Sequence, residues 1–340
     1  MLAEDENEDY APGIKIGKET QHVKKPALII GLIFALSAAF SPAFASGQTA
    51  APQAATPTTP AASVPPPAAQ GQVIEGLKIE SAILGRDVNF VVYLPPDYAA
   101  SARRYPVVYL LHGYTDNESG WIQFGEVHLA ADRAIAAREI PPMIIVMPDG
   151  GVAWYINDYQ GKVRWEDMFV QEFIPFIDKN YRTRPDRQYR GISGLSMGGW
   201  GSLTLAMRHR DLFVACAAFS AAVWTEKDAG AIAGPQYDRM FGPLFGPHPA
   251  EKGQPAPYFK TVNPVSLAGS IADTELKKVR YYIDCGDDDF LIQGNCALHL
   301  VLVERKIPHE FRVRDGGHTW IYWRTGVVDG LKFIGESFHR

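Results

Sequence analysis

The pentapeptide Gly194-Leu195-Ser196-Met197-Gly198 spells G-x-S-x-G, and its neighbours give that spelling a physical meaning. A serine hydroxyl is a poor nucleophile until a base takes its proton, and it must protrude to where a carbonyl carbon can reach it. A sharp strand-to-helix turn meets the second need. Small flanking residues permit strained dihedrals, and the new helix offers free N–H groups to developing negative charge. The run Tyr189–Ser193 predicts the strand and Gly198–Arg208 the helix, with Gly199 and Gly201 available for close packing. The competing reading is a glycine-rich surface turn.

Such a serine needs an acid and then a histidine later in the chain. His318 follows Asp315-Gly316-Gly317, a tight loop able to return an imidazole to the serine. The other eight histidines are weaker candidates. His112 ends a predicted strand but precedes Ser196. His209, His309 and His339 sit beside charged residues, and His128 and His299 fall within helical stretches. His248 lies among prolines, and His22 lies near the start of the chain. The acid belongs to Asp287-Asp288-Asp289 after Gly286. Asp289, at the far side of the turn, is preferred, and Asp288 is the alternative. The aspartates not used are expected to accept turn or helix-cap N–H bonds.

A tetrahedral intermediate needs two hydrogen-bond donors. The backbone N–H of Met197, next to the serine, is one. The second should come from the loop Leu111-His112-Gly113-Tyr114, at the N–H of Tyr114. Trp121, Trp154, Tyr155 and Trp320 all follow carboxyl ends of predicted strands or the histidine. They are expected to wall a cleft for flat or ring-shaped groups, against the plainer alternative of packing loops onto a core.

The elements that position these residues alternate. Strands are predicted at Leu77–Leu84, Asn89–Leu94, Val107–Leu111, Met143–Met147, Tyr189–Ser193, Val214–Phe219, Val279–Asp284 and Glu310–Val313. Helices are predicted at Glu126–Arg138, Glu166–Asn180, Gly198–Arg208, Gln293–Arg305 and Ile321–Phe338. This order implies an α/β fold, a mainly parallel central sheet with helices on both faces and antiparallel strands at its entry edge. Ligands in such sheets gather at the carboxyl ends of the strands. Ala221–Leu267, rich in proline and glycine, is predicted as a long loop forming a small cap beside the site.

The chain has 340 residues and a net charge of −5, of which residues 1–25 carry six acids and four bases. The remaining −3 gives no electrostatic case for nucleic acid. Pro26–Ala45 is apolar, follows Lys24-Lys25 and ends in Ala43-Phe44-Ala45, the pattern of a cleaved export signal, with a membrane anchor as the alternative. The acidic stretch before it is long for such a signal, as if translation began nearer Val23. Residues 46–72, rich in Ala, Pro, Thr and Gln, form an expected disordered tether, so the folded domain is expected over 73–340. Cys216 is expected to be buried. Cys285 and Cys296 could pair in an oxidising compartment, and no cysteine spacing suggests a metal site.

Together these pieces resemble a known family. Leu110-Leu111-His112-Gly113, Met147-Pro148-Asp149-Gly150-Gly151, Trp165-Glu166-Asp167, Gly194 to Gly199, Gly286 to Asp289 and Gly317-His318 occur in the order of the Putative esterase (esterase D-like) family of α/β-hydrolases. Feruloyl esterases, S-formylglutathione hydrolases and mycolyltransferases belong to it. The resemblance covers about 77–338 and implies an α/β-hydrolase fold. It implies a triad of Ser196, Asp289 and His318, with oxyanion donors at Tyr114 and Met197 and no cofactor. Trp165 to Thr183 looks most like the feruloyl esterase branch. The export signal argues against the usually cytosolic S-formylglutathione hydrolases, and an aspartate in place of glutamate weakens the mycolyltransferase reading. The expectation is an exported serine carboxylesterase acting on a small-molecule or carbohydrate ester. An acyltransferase, a thioesterase and a non-catalytic carbohydrate-binding relative are the alternatives, and the oligomeric state is left open.

Overall fold

A computed structural model describes residues 70–249 and 253–338. The expected export signal and nearly all of the tether lie outside the described residues. Eight strands form one sheet: β1 (Gln72–Ser81), β2 (Arg86–Leu94), β3 (Val107–Leu111), β4 (Ile144–Pro148), β5 (Arg190–Leu195), β6 (Ala215–Phe219), β7 (Arg280–Gly286) and β8 (His309–Arg314). Their spatial order is β1-β2-β4-β3-β5-β6-β7-β8. β2 runs antiparallel to both β1 and β4, and every other pairing is parallel. All eight predicted strands are present, and β1 begins at Gln72, where the tether was expected to end.

Alternation along the strands divides the core into two layers. From β3, Val107, Tyr109 and Leu111 enter one layer, and Val108 and Leu110 enter the other. The first layer lies under the helix that follows Ser196 (Met197–Arg208) and under Ile292–Glu304, whose Leu298 and Leu302 reach it. The second lies under Val127–Ala136 and Trp320–Ser337, the C-terminal helix. Helix closes on sheet tightly there: a Cβ on Gly191 of β5 would stand 2.4 Å from Ile334. The predicted helix over 166–180 is a composite. It is α-helical at Trp165–Met168, widens to a π-turn over Phe169–Phe173 and resumes at Ile174–Asn180. Pro175 has no N–H to return to the preceding turn, and the widening just before it accommodates that loss.

The stretch 221–267 departs from expectation. It is not a loop but a series of short helices, Glu226–Gly230, Gly234–Met240, Gly242–Phe245, Pro257–Val262 and Pro264–Ser270. The last four each carry a proline in the first turn, at Pro235, Pro243, Pro257 and Pro264. Proline suits that position, because a first-turn N–H has no helical acceptor to lose. Residues that looked like breakers are starters. Among the described residues, no helix is long and apolar enough to cross a membrane. Cys216, Cys285 and Cys296 are free thiols, and burial raises those of Cys216 and Cys285 above the usual thiol range.

The carboxyl ends of β7 and β8 are joined at the backbone. A Cβ added to Gly286 would lie 1.9 Å from the Gly316 carbonyl oxygen, closer than atoms can approach. Gly286→Ala is therefore expected to push the two loops apart, destabilising the fold by about 1–3 kcal/mol. Thermal unfolding and ester turnover measured on the same preparation check this; wild-type values for both would contradict it.

Candidate active site

Ser196 stands between β5 and its helix with φ 53° and ψ −116°. A non-glycine residue in that region is strained by about 1–3 kcal/mol and persists only where its surroundings over-determine it. Here they do. The Ser196 N–H donates to Phe219 O at 2.9 Å, and the Ser196 carbonyl accepts from Ala222 N at 2.9 Å and Trp200 N at 3.0 Å. The flanking glycines are required by contact. A Cβ on Gly194 would meet the Gly198 carbonyl oxygen at 2.4 Å, and one on Gly198 would meet the Leu111 carbonyl oxygen at 2.4 Å.

Three elements bring their residues to this turn. His318 Nε2 lies 2.9 Å from Ser196 Oγ, and His318 Nδ1 lies 2.9 Å from Asp289 Oδ2. The buried carboxylate can only accept, so it fixes the ring proton on Nδ1. Nε2 is then left to accept the serine proton. Asp289 Oδ1 accepts the Leu291 N–H at 2.9 Å. Burial pushes the Asp289 carboxyl up, but hydrogen bonds from His318, the Leu291 N–H and Ser220 outweigh it and hold the group below the usual aspartate range. Asp288 is exposed, and its N–H donates to Gly316 O and to Asp287 Oδ1.

His112 is kept away from this relay. It is buried, and its Nε2 accepts the Gly150 N–H at 2.9 Å, which leaves its ring proton on Nδ1, facing Gly113 O at 2.8 Å. The imidazole thus fastens the β3 and β4 loops together. A Cβ on Gly113 would come within 3.6 Å of Ser196 Cβ, so the Gly113-Tyr114 backbone runs alongside the serine. Met197 opens the helix on the serine's other side, and its N–H has no helical carbonyl behind it.

Ser196, His318 and Gly113 border a cleft of about 530 Å³. Trp154 and Trp320 line it, as do Tyr114 and Met197. Trp121 and Tyr155 do not, and the expectation that they wall the cleft is corrected. Trp121 is wholly buried, donates from Nε1 to Leu111 O at 2.9 Å and packs edge-on against Trp320. Tyr155 is wholly buried too, and its hydroxyl donates to His112 O at 2.8 Å. Trp121 supports Trp320 from behind, and Tyr155 anchors the loop of His112.

Several site residues had no sequence signal. Ser220 follows β6, fully buried with φ 43°; Trp323 Nε1 donates to its Oγ at 3.0 Å, and its own hydroxyl interacts with Asp289. Trp323 also packs edge-on against His318, with centroids 4.8 Å apart. Trp224 and Met240 reach the cleft from the helical insertion, and Phe290 from the residue after Asp289. Trp323 lies in the first turn of the helix that starts two residues after His318, a proximity in the chain that could have suggested it. A serine closing an apolar strand suggests nothing. Among the described residues, the carboxylates close enough together to hold a cation are Asp287, Asp288 and Asp315, all exposed and none lining the cleft.

A strained serine on a strand-to-helix turn, facing histidine and then aspartate at the carboxyl ends of a mainly parallel sheet, is the arrangement of an α/β-hydrolase. Residues 81–334 match the family described as Putative esterase, and the chain belongs to that family. Its relatives include an esterase of Mycobacterium tuberculosis, 28% identical over 262 residues, covering 72% of this chain and 55% of the relative. An endo-1,4-beta-xylanase/feruloyl esterase of Xylanibacter ruminicola is 38% identical over 133 residues, 36% of this chain and 18% of that protein. The chain thus spans about half the length, or less, of these curated relatives. A solved ferulic acid esterase superposes with a TM-score of 0.67 at 31% identity, covering 79% of this chain and 99% of that one.

The lowered Asp289 carboxyl has a consequence for stability. A carboxylate held below its unfolded value, about 3.9, stabilises the fold above that pH and loses the contribution as pH falls through the lower folded value. Denaturant unfolding followed from about pH 5 to about pH 3 should therefore show an acid-dependent loss in wild type that is smaller in Asp289→Asn. Parallel profiles for the two proteins would refute the linkage.

Proposed function

We propose that the protein is an exported serine carboxylesterase that works through an acyl-enzyme, with aryl (feruloyl-type) or sugar esters as its substrates. The observation that carries this reading is the Ser196–His318–Asp289 relay, two 2.9 Å hydrogen bonds in series at the floor of an aromatic-walled cleft. His318 Nε2 takes the Ser196 proton as Oγ attacks the ester carbonyl. The N–H groups of Met197 and Tyr114 receive the charge that forms on the carbonyl oxygen. His318 returns the proton to the departing alcohol, water then repeats the sequence on the acyl-serine, and Asp289 steadies the imidazolium in both halves.

The preference for aryl acyl groups is supported by Trp154, Trp224 and Met240 on the cleft wall. Such surfaces bury flat rings with large apolar area. The similarity to the Xylanibacter xylanase/feruloyl esterase and to the solved ferulic acid esterase supports the same preference. Ser196→Ala and His318→Ala should each lower kcat on methyl ferulate by about 10³-fold or more, with unchanged circular dichroism. Activity retained in either variant would refute the assignment.

Export is supported by Pro26–Ala45 and its Ala43-Phe44-Ala45 exit. Mass spectrometry of protein recovered from the native cell envelope or medium should find a mature N-terminus at Ser46. A membrane-bound form that retains 26–45 would overturn export by cleavage.

A further inference from the structure

His318 lies between two aromatic rings of opposite surroundings. Trp323 is buried behind it. Phe290 is 75% exposed, yet its ring centroid is only 4.7 Å from that of the imidazole. The exposed ring is not isolated. Phe124, also exposed, packs 5.7 Å from Trp320, which packs 5.4 Å from Trp323, and Phe124, Trp320 and Phe290 all line the cleft. A second aromatic set lines it too: Trp154 lies 6.3 Å from Tyr114 and 5.6 Å from Trp224. The two sets share no ring contact among the described residues. Large exposed apolar side chains gathered at the mouth of a cleft mark a place where something binds.

Reaction chemistry decides which part of an ester meets which set. When the tetrahedral intermediate collapses, the bond from the carbonyl carbon to the alcohol oxygen breaks. That oxygen keeps the bonding pair and takes the proton from His318 Nε2, the alcohol departs, and the acyl group stays on Ser196 Oγ. The leaving oxygen must therefore sit within hydrogen-bond reach of Nε2, and whatever it carries must lie beside His318. Phe290, exposed and with its ring 4.7 Å from the imidazole, borders the cleft beside His318.

We propose that Phe290, with Trp320, is the alcohol-side wall of the cleft and selects esters of ring-shaped polyols over esters of methanol, the acyl group taking the Trp154–Trp224 side. This rests on the esterase reading above. A sugar ring suits the wall because its C–H face covers an aromatic ring while its hydroxyls stay hydrated. A long alkyl alcohol would leave its apolar outer surface in water. Thr319 and Asp116, which also line the cleft, offer polar partners.

The test uses two substrates with one acyl group, the methyl ester and a monosaccharide ester of the same hydroxycinnamic acid. Wild type should prefer the sugar ester. Phe290→Ala should lower kcat/KM on the sugar ester at least about fivefold more than on the methyl ester, while Phe290→Trp keeps the preference. A second readout starts from one acyl-enzyme, formed from the methyl ester with free monosaccharide present. The fraction of acyl group captured by the sugar should fall in Phe290→Ala, because only the alcohol side differs. Equal losses on both esters, no loss on either, or an unchanged captured fraction would overturn the role of Phe290. A wild type that hydrolyses neither ester would overturn the esterase reading itself.

Discussion

The site depends on a carboxylate that takes no part in its chemistry. Asp284, near the end of β7, is wholly buried. Arg314, the last residue of β8, grips it with two hydrogen bonds of 2.9 Å from Nε and Nη2, and the hydroxyls of Tyr322 and Tyr282 donate to it at 2.6 Å and 3.1 Å. The acid loop leaves from β7, the base loop from β8, and Tyr322 belongs to the helix that follows the base. One ion pair thus fixes the three segments whose relative placement makes the relay. Asp284 is the wholly buried partner, and stranding a buried charge by removing its partner typically costs about 3–5 kcal/mol. Asp289 and His318 can meet at 2.9 Å because Asp284 and Arg314 already have.

The serine side has its own brace. His112, Tyr155 and Gly150 connect the β3 and β4 loops by hydrogen bonds at 2.8 and 2.9 Å, all buried. Further back, Glu166 accepts from Arg208 Nε at 2.8 Å and meets His209 Nε2 at 2.7 Å. Burial alone would raise the Glu166 carboxyl, but these partners hold it below the usual range. This cluster ties the composite helix Trp165–Asn180 to the far end of the helix that begins at the serine. The Ser196 turn is thus anchored at both ends of its helix, and the strain at Ser196 has rigid ground to rest on.

Much of this was legible in the residues, and the rest was hidden for definite reasons. Val107-Val108-Tyr109-Leu110-Leu111 announces a strand buried on both faces because no residue in it tolerates water. The serine, its histidine and Asp289 follow from chain order and glycine placement. What a linear reading lacks is direction. Trp154 and Tyr155 are neighbours with nearly equal positive φ, yet one side chain lines the cleft and the other lies under it. Trp121 and Trp320 touch each other, and only the outer one can meet a substrate. The prolines of 221–267 misled because the residue that ends a helix also begins one well. Ser220 was invisible because its role comes from Trp323, 103 residues away in the chain.

The contact between Gly286 and Gly316 also bears on how such a chain can diversify. Two loops that touch backbone to backbone cannot lengthen independently, since any added residue must open the gap that Asp289 and His318 bridge. The insertion at 221–267 is under no such restriction. It supplies Ala222 and Trp224 to the cleft from the irregular segment that opens it and Met240 from the end of a short helix. New substrate ranges in relatives, and in laboratory libraries, should therefore accumulate as insertions, deletions and recombined segments there. The acid and base loops should change only by substitution at fixed length.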